Sequence, residues 1–292
     1  MQTAVIINPA AGWSRAERSG RRADLAWQVL RRYDTTAEVL VTEGRGDGTR
    51  IAREMAAQGC SKIIAWGGDG TVNEVVPIVV EHGITLGIVP AGTGNGLAKE
   101  LKLDQRPERA LVTALKGRPH LIDVGELGGR MFVNVAGIGF DAHVGRLFNA
   151  RKRRRPIGYI TTTISELFKY SPVEYSIVLG NETHRRRALI IALANSRQYG
   201  SGAFIAPRAQ LDDGKLQLVV VDAEPTALRS LWKARHLYLR SMNRARGVLT
   251  EGVESVTILS ESDICFHVDG EVMTGPPQLT AKVHPGALQV SV

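Results

Sequence analysis

Apolar and polar positions alternate in two different ways along this chain, and the change of pattern divides it. Short apolar runs at Thr3 to Ile7, Glu38 to Val41, Lys62 to Trp66 and Thr85 to Val89 read as buried strands, each followed by longer stretches compatible with helix. The helical spacing is clearest at Val72, Val75, Val76 and Val79, and an amphipathic stretch runs from about Ala16 to Arg32. Strand and helix in alternation predict a parallel sheet covered on both faces. From Leu121 onward the strand-like runs crowd together: Leu121 to Val124, Met131 to Val135, Val173 to Leu179, Ala188 to Asn195, Leu216 to Val221, Val256 to Leu259, Ile264 to Val268 and Gln278 to Val283. Turn signals at Leu127-Gly128-Gly129, Gly180-Asn181 and Asp212-Asp213-Gly214 punctuate them. Helical patterns interrupt them at about Ile157 to Tyr170 and Thr226 to Asn243. The expectation is an α/β first domain and an antiparallel second one, without internal repeats.

Three of the early strands run straight into glycine-rich turns. Trp66 leads into Gly67-Gly68-Asp69-Gly70-Thr71-Val72-Asn73-Glu74; Val89 leads into Pro90-Ala91-Gly92-Thr93-Gly94-Asn95-Gly96; Ile7 leads into Asn8-Pro9-Ala10-Ala11-Gly12. Without a Cβ, the backbone N–H groups of such a turn can approach an anion beside the positive end of the following helix. One glycine turn of this kind often serves packing alone; three on neighbouring units point to phosphate. Asp69 sharpens the reading, since a carboxylate beside phosphates is repulsive unless Mg²⁺ or a reacting hydroxyl intervenes.

Length and charge narrow the class. A chain of 292 residues exceeds the usual single domain. The formal net charge of +8, from 37 Lys and Arg against 29 Asp and Glu, favours anionic partners such as nucleotides or acidic lipid surfaces. The run Arg151 to Arg155, with Lys233, Arg235, His236, Arg240, Arg244 and Arg246, reads either as solvated loop or as contact with phosphate or an anionic membrane surface. Nucleic acid is not expected as a partner, because aromatics are sparse and no recognition motif accompanies the charge. The longest apolar run, Leu189 to Ala194, is far short of the roughly 20 residues of a membrane span. The chain enters a strand at once, leaving no room for a signal peptide. Cys60 and Cys265 show no ligand spacing. A cytoplasmic protein with reduced thiols is expected, with peripheral contact at the inner face of the membrane left open. Oligomeric state is not legible, a homodimer included.

The ordered motifs resemble those of the diacylglycerol kinase-like lipid kinase family, which includes sphingosine and ceramide kinases and bacterial phospholipid kinases. The resemblance spans nearly the whole chain. It is carried by Asn8-Pro9 through Gly12, Gly67 through Thr71 with Asn73-Glu74, Gly92 through Asn95, Asn134 through Ala142, Asn195-Ser196 with Tyr199-Gly200, Asp213-Gly214, and Asp269-Gly270-Glu271. The double-glycine turn alone is shared with NAD kinases and phosphofructokinases; the late acidic pair and the β-rich second half favour the lipid kinases.

The resemblance implies an ATP-binding α/β domain over residues 1–122, a β-sandwich lipid domain over 123–278, a return of 279–292 to the first domain, and a ligand cleft between the two. It implies that Asn8, Pro9, Gly12, Thr42, Gly67, Gly68, Asp69, Gly70, Thr71, Val72, Asn73, Gly92, Thr93 and Asn95 hold ATP, with Asp69 near the transferring phosphate and its Mg²⁺. Glu271 is the expected base for a lipid hydroxyl and Asp269 the neighbour of the metal, although the sequence does not separate the two. In bacterial members a structural Mg²⁺ sits near the second domain's Asp-Gly turn. The matching positions are Gln210, Asp213 and the carbonyl of Lys215, where Gln210 stands in place of an acid. Gly96 also replaces an acid found in many bacterial members.

The implied activity is transfer of the ATP γ-phosphate to a lipid such as diacylglycerol, phosphatidylglycerol or a long-chain base at a membrane surface. A kinase of a soluble substrate such as NAD, and a non-catalytic lipid- or nucleotide-binding regulator, are the alternatives. Such transfer needs positioning and charge neutralisation more than covalent help. No Walker lysine is present, and the sequence identifies no basic residue in its place. Ile157, Ile160, Ile164, Leu167 and Phe168 are either a lipid-facing lining or core, with core expected for most.

Overall fold

A computed structural model of the chain describes residues 2–12, 16–33, 35–149, 163–199 and 202–292. Two compact units emerge, one of residues 1–123 with 286–292, the other of residues 124–285.

The first unit carries β1 (Thr3–Ile7), α1 (Ala16–Arg32), β2 (Ala37–Val41), α2 (Asp47–Ala57), β3 (Lys62–Gly67), α3 (Asp69–Glu81), β4 (Thr85–Pro90), α4 (Gly96–Glu100) and α5 (Pro107–Lys116). β1 lies between β2 and β3, and β4 flanks β3, all parallel. Helices on both faces explain why every residue of β1 is buried and why these strands read as continuous apolar runs. Val5, Ile7, Leu30, Ile64, Trp66 and Leu111 form one core cluster. Each such side chain contributes about 1.5–3 kcal/mol by leaving water. Because β2 and β3, successive in the chain, lie on opposite sides of β1, the strand order reverses there. Open α/β sheets bind ligands at the carboxyl ends of strands beside such a reversal. The chain's last residues close this unit: Val290 pairs with Leu86, and Arg118 and Val292 exchange backbone hydrogen bonds of 2.8 and 2.9 Å.

The second unit begins inside β5 (Pro119–Leu127) and continues through β6 (Arg130–Phe132), β7 (Val135–Gly139), α6 (Phe140–Asn149), β8 (Val173–Leu179), β9 (Glu182–Ala194), β10 (Leu216–Asp222), α7 (Ala227–Tyr238), β11 (Val248–Val253), β12 (Ser255–Leu259), β13 (Ile264–Val268), β14 (Glu271–Gly275) and the start of β15 (Gln278–Ser291). Its strands pair antiparallel, with β9 central to β7, β8 and β10. Phe132, Ile138, Ile177, Ile191, Leu218 and Ile258 lie in its main core cluster. β15 pairs with β12 from Gln278 to Lys282, still within this unit, and the chain rejoins the first unit at Gly286.

Of the apolar residues expected as lining or core before Tyr170, Leu167 packs against the buried Phe140, Val144 and Leu189. Ile164 and Phe168 are exposed, against the expectation of core. Ile157, Ile160 and the basic run Arg151 to Arg155 lie outside the described residues. Among the described residues no helix is long and apolar enough to cross a membrane.

Candidate active site

In the first unit, the three glycine-rich turns meet at one edge of the sheet, because β1, β3 and β4 are neighbours and end in register. Asn8 N donates to Trp66 O at 2.9 Å, Ala91 N to Gly67 O at 2.7 Å, and Thr42 N to Ile7 O at 2.9 Å. Asn8, Thr42, Gly67 and Ala91 therefore share that edge. The turns touch through bare backbone. A Cβ on Gly92 would lie 2.7 Å from Gly68 Cα, and one on Gly68 would lie 3.2 Å from Gly92 Cα. A Cβ on Gly67 would strike the Thr71 side chain. These glycines are thus required for close approach, whatever they also do for a ligand.

Side chains lock the arrangement. Asn8 Nδ2 donates to Thr71 Oγ1 at 2.9 Å, and Asn8 Oδ1 accepts from Ala10 N at 2.9 Å. Asn95, in the left-handed region at φ 52°, closes its own turn by accepting from Gly92 N at 2.8 Å and donating to Gly92 O at 2.9 Å. Asp69 Oδ1 accepts from Gly96 N at 2.6 Å, tying the β3 turn to the β4 turn, while Oδ2 lies against Gly94. Glu74 faces the other way. It accepts from Gly46 N at 2.8 Å and Gly48 N at 2.9 Å, and so anchors the start of α2.

What remains open is suited to an anion. α3 begins at Gly68 with no side-chain cap, so its first turn is the positive end of a 13-residue helix that no side chain of its own cap neutralises. Among the described residues Asn73 Oδ1 is buried without a hydrogen-bond partner, an acceptor such as a ligand hydroxyl would satisfy. Arg22 supplies a cation the sequence did not reveal: from α1 its guanidinium donates to Asn8 O at 2.7 Å and Ala11 O at 2.8 Å. Its spacing from Asn8 carries no motif, which is why it went unread.

One prediction follows from the glycine contact. Gly92→Ala must part the two turns, whereas Gly68→Ala asks for a smaller shift. Isothermal titration calorimetry with ATP is expected to show about a tenfold or greater loss of affinity for Gly92→Ala and a lesser one for Gly68→Ala, with urea melts lowered by about 1–3 kcal/mol and less, respectively. Equal or reversed effects would contradict the contact.

In the second unit, the motif residues interlock around a break in the chain. Met131 to Val135 was expected as one strand; instead β6 ends at Phe132 and β7 starts at Val135. The reason is Asp269. Its carboxylate accepts from Val133 N at 2.8 Å, Asn134 N at 2.9 Å and Val135 N at 3.0 Å, N–H groups a continuous strand would have turned to both sides. Asn195 Nδ2 donates to Val133 O at 3.0 Å, and Asn195 N and Ser196 N both donate to Asn134 O. Asp269 itself sits at φ 46° in the turn between β13 and β14. Asp269, expected beside a metal, thus has both carboxylate oxygens committed to backbone.

Beneath that turn lies a polar cluster. Asp141 Oδ2 accepts from Tyr199 OH at 2.7 Å and faces His267 Nε2 at 3.2 Å, and His267 Nδ1 accepts from Gly270 N at 3.3 Å. With Nδ1 an acceptor, the ring's proton belongs on Nε2, directed at Asp141. Asp141 and Tyr199 fall in quoted motifs, but His267 was missed; its cue is its place two residues before Asp269. Burial pushes Tyr175 up to about 12 and Tyr170 upward as well, with the charge of Asp141 adding to both, so neither phenol serves as a base.

Glu271 is the carboxylate of the turn that remains beside open space. It lies 3.9 Å from Arg130 Nη2 and lines a groove of about 600 Å³ with Arg130, Phe266, Val272, Met273 and Leu279. Its lining is mixed, with Thr274, Gln278 and Thr280 beside the acid, the guanidinium and the apolar side chains.

The expected structural metal position fits poorly. Gln210, Asp213 and Lys215 are exposed, and Asp213 Oδ1 closes its own turn by accepting from Lys215 N at 3.1 Å. An amide, one such carboxylate and a carbonyl make a weak set for a hard divalent cation. Among the described residues no group of three or more His, Cys, Asp or Glu could hold a metal.

Convergent glycine turns on a parallel sheet, joined in the same chain to an antiparallel unit with an acid beside a groove, suit a phosphotransferase. The profile of the diacylglycerol kinase catalytic domain matches residues 2–127, and that of the YegS C-terminal NAD kinase beta sandwich-like domain matches residues 134–292. A probable lipid kinase YegS-like of Chromohalobacter salexigens is 37% identical over 189 residues, 63% of this chain and 61% of that one. Another, from Serratia proteamaculans, is 30% identical over 276 residues, covering 91% of this chain and 87% of the relative. The fold matches the crystal structure of a diacylglycerol kinase from Bacillus anthracis with a TM-score of 0.74 at 20% identity, over 99% of this chain and 96% of that one. The chain belongs to the diacylglycerol kinase-like lipid kinase family: it is a phosphotransferase acting on an alcohol group.

Proposed function

We propose that this protein is an ATP-dependent kinase of a membrane lipid, with diacylglycerol, phosphatidylglycerol or a long-chain base as the acceptor class. Two features carry the reading: in the first unit, Gly68 and Gly92 meet at the uncapped start of α3, and in the second, the Glu271 carboxylate lines a groove. The edge formed by Asn8 to Gly12, Thr42, Gly67 to Asn73, Gly92, Thr93 and Asn95 binds the triphosphate through backbone donors and the N-terminus of α3. Asp69 would hold the Mg²⁺ that accompanies ATP, which would supply neutralisation of phosphate charge. Glu271 takes the proton from the acceptor hydroxyl as its oxygen bonds to the γ-phosphorus and the bond to the β,γ-bridging oxygen breaks, releasing ADP. A lipid rather than a nucleotide as the acceptor is supported by the relatives, which are named probable lipid kinases.

The test is a panel of lipid acceptors in mixed micelles with γ-labelled ATP and Mg²⁺, read by mass spectrometry. Phosphorylation of one lipid class is expected. Turnover with NAD in the absence of any lipid, or ATP binding without transfer to any member of the panel, would overturn the proposal.

A further inference from the structure

The helix α7, Ala227–Tyr238, is amphipathic the wrong way round for a soluble surface. Leu228, Leu231, Trp232, Tyr238 and the following Leu239 are exposed by 68, 40, 67, 67 and 65%. With Arg235 they recur at helical intervals and so form one outward stripe. The inward positions carry Ser230 and Lys233, both buried. Lys233 is ion-paired with Glu224, so it is withdrawn from the basic surface the sequence suggested. An apolar stripe left in water while a lysine is buried behind it calls for an occupant.

The surrounding charge selects that occupant. From Pro225 to Thr250 the chain has no acid, and it carries Arg229, Arg235, Arg240, Arg244 and Arg246 besides Lys233. All five arginines are exposed. Arg235, within the stripe, lies over the Trp232 ring at 3.9 Å, and Arg240 over Phe204 at 4.2 Å, so each guanidinium is held against an aromatic face. A second copy docking through this face would bring guanidinium against guanidinium with no acid from the same stretch to answer them. An anionic bilayer supplies phosphate at the rim and hydrocarbon beneath. Tryptophan and tyrosine suit that boundary because each has an apolar body and a polar handle.

We infer that α7 with Leu239 is a membrane-docking helix, lying in the plane of an anionic lipid surface with Leu228, Leu231, Trp232 and Leu239 inserted and Arg229, Arg235 and Arg240 at the headgroups. The inference rests on the reading of the chain as a kinase of bilayer lipids, and it assigns to that reading the element that brings the protein to its substrate.

The test is co-sedimentation of the full chain, without ATP, with phosphatidylcholine vesicles that contain or lack phosphatidylglycerol. The parent protein is expected to sediment with the anionic vesicles and to be released by salt. Trp232→Ser with Leu239→Ser should lower the partition coefficient by about tenfold or more with an unchanged thermal melt, and Arg235→Gln with Arg240→Gln should abolish the preference for anionic vesicles. The same pair of serine variants should lose phosphorylation of vesicle-embedded lipid while keeping that of a monomeric short-chain lipid within about twofold. Unchanged vesicle binding, or a parent dimer that the serine variants dissociate in sedimentation velocity, would overturn the inference. Because binding is read without turnover, a docking helix on a protein that phosphorylates no lipid would be told apart from an active kinase that docks elsewhere.

Discussion

Asp69→Ala should lower kcat with the best lipid acceptor by about a thousandfold or more while leaving the fold intact. Two losses combine in that variant. Gly96 N forfeits its acceptor at 2.6 Å, loosening the join between the β3 and β4 turns, at a stability cost of about 1–2 kcal/mol. The carboxylate in the first turn of α3 also disappears. Asp69→Asn separates the two: an amide oxygen still accepts from Gly96 N, yet the charge is gone. On the proposed reading Asp69→Asn keeps its melting temperature and still loses about a hundredfold or more in kcat. If it instead recovers parental activity, Asp69 is a clamp between turns and nothing more, and the metal assignment falls.

The parallel half of the fold was legible because both of its signals are local. A strand buried on two faces shows itself as an unbroken apolar run, and the turn that follows must be glycine where backbone meets backbone, as at Gly68 and Gly92. Asn8, Thr42, Gly67 and Ala91 could be grouped on one edge because parallel neighbours end together. The antiparallel unit was less legible. β11 (Val248–Val253) and β14 (Glu271–Gly275) were unread, since each is short, largely uncovered and interrupted by polar residues or glycine. β9 extends back to Glu182 through Thr-His-Arg-Arg-Arg, a half that faces solvent and carries no apolar signal. The break between β6 and β7 is set by Asp269, well over a hundred residues away, and no local pattern contains it. α7 shows a different limit: periodicity says that a helix has an apolar face, not which way that face points.

The same limit left the two late acids unresolved in the sequence, and their surroundings now set opposite expectations for them. Asp269→Asn must present an amide N–H₂ to at least one of the three N–H groups at Val133, Asn134 and Val135, in a turn where all three are now charge-assisted. Urea unfolding is expected to show a loss of about 2–4 kcal/mol, with any fall in activity following the loss of folded protein or of turn geometry. The ion pair of Glu271 with Arg130 is long, 3.9 Å, and its side chains are 35 and 57% exposed, so removing the charge there costs little. Glu271→Gln should therefore change stability by no more than about 0.5 kcal/mol. It should nonetheless lower kcat by about a hundred- to ten-thousandfold, the usual span for removing a general base, with ATP affinity by calorimetry unchanged. Should Asp269→Asn prove as stable as the parent and as inactive as Glu271→Gln, the three backbone hydrogen bonds would have been misjudged as its role and the base would have to be reassigned. His267 offers an independent check on the same turn, since its Nδ1 accepts from Gly270 N. His267→Asn is expected to raise the KM for the lipid and lower kcat together, as a displaced Glu271 would, whereas a loss confined to stability would mark the cluster with Asp141 and Tyr199 as packing alone.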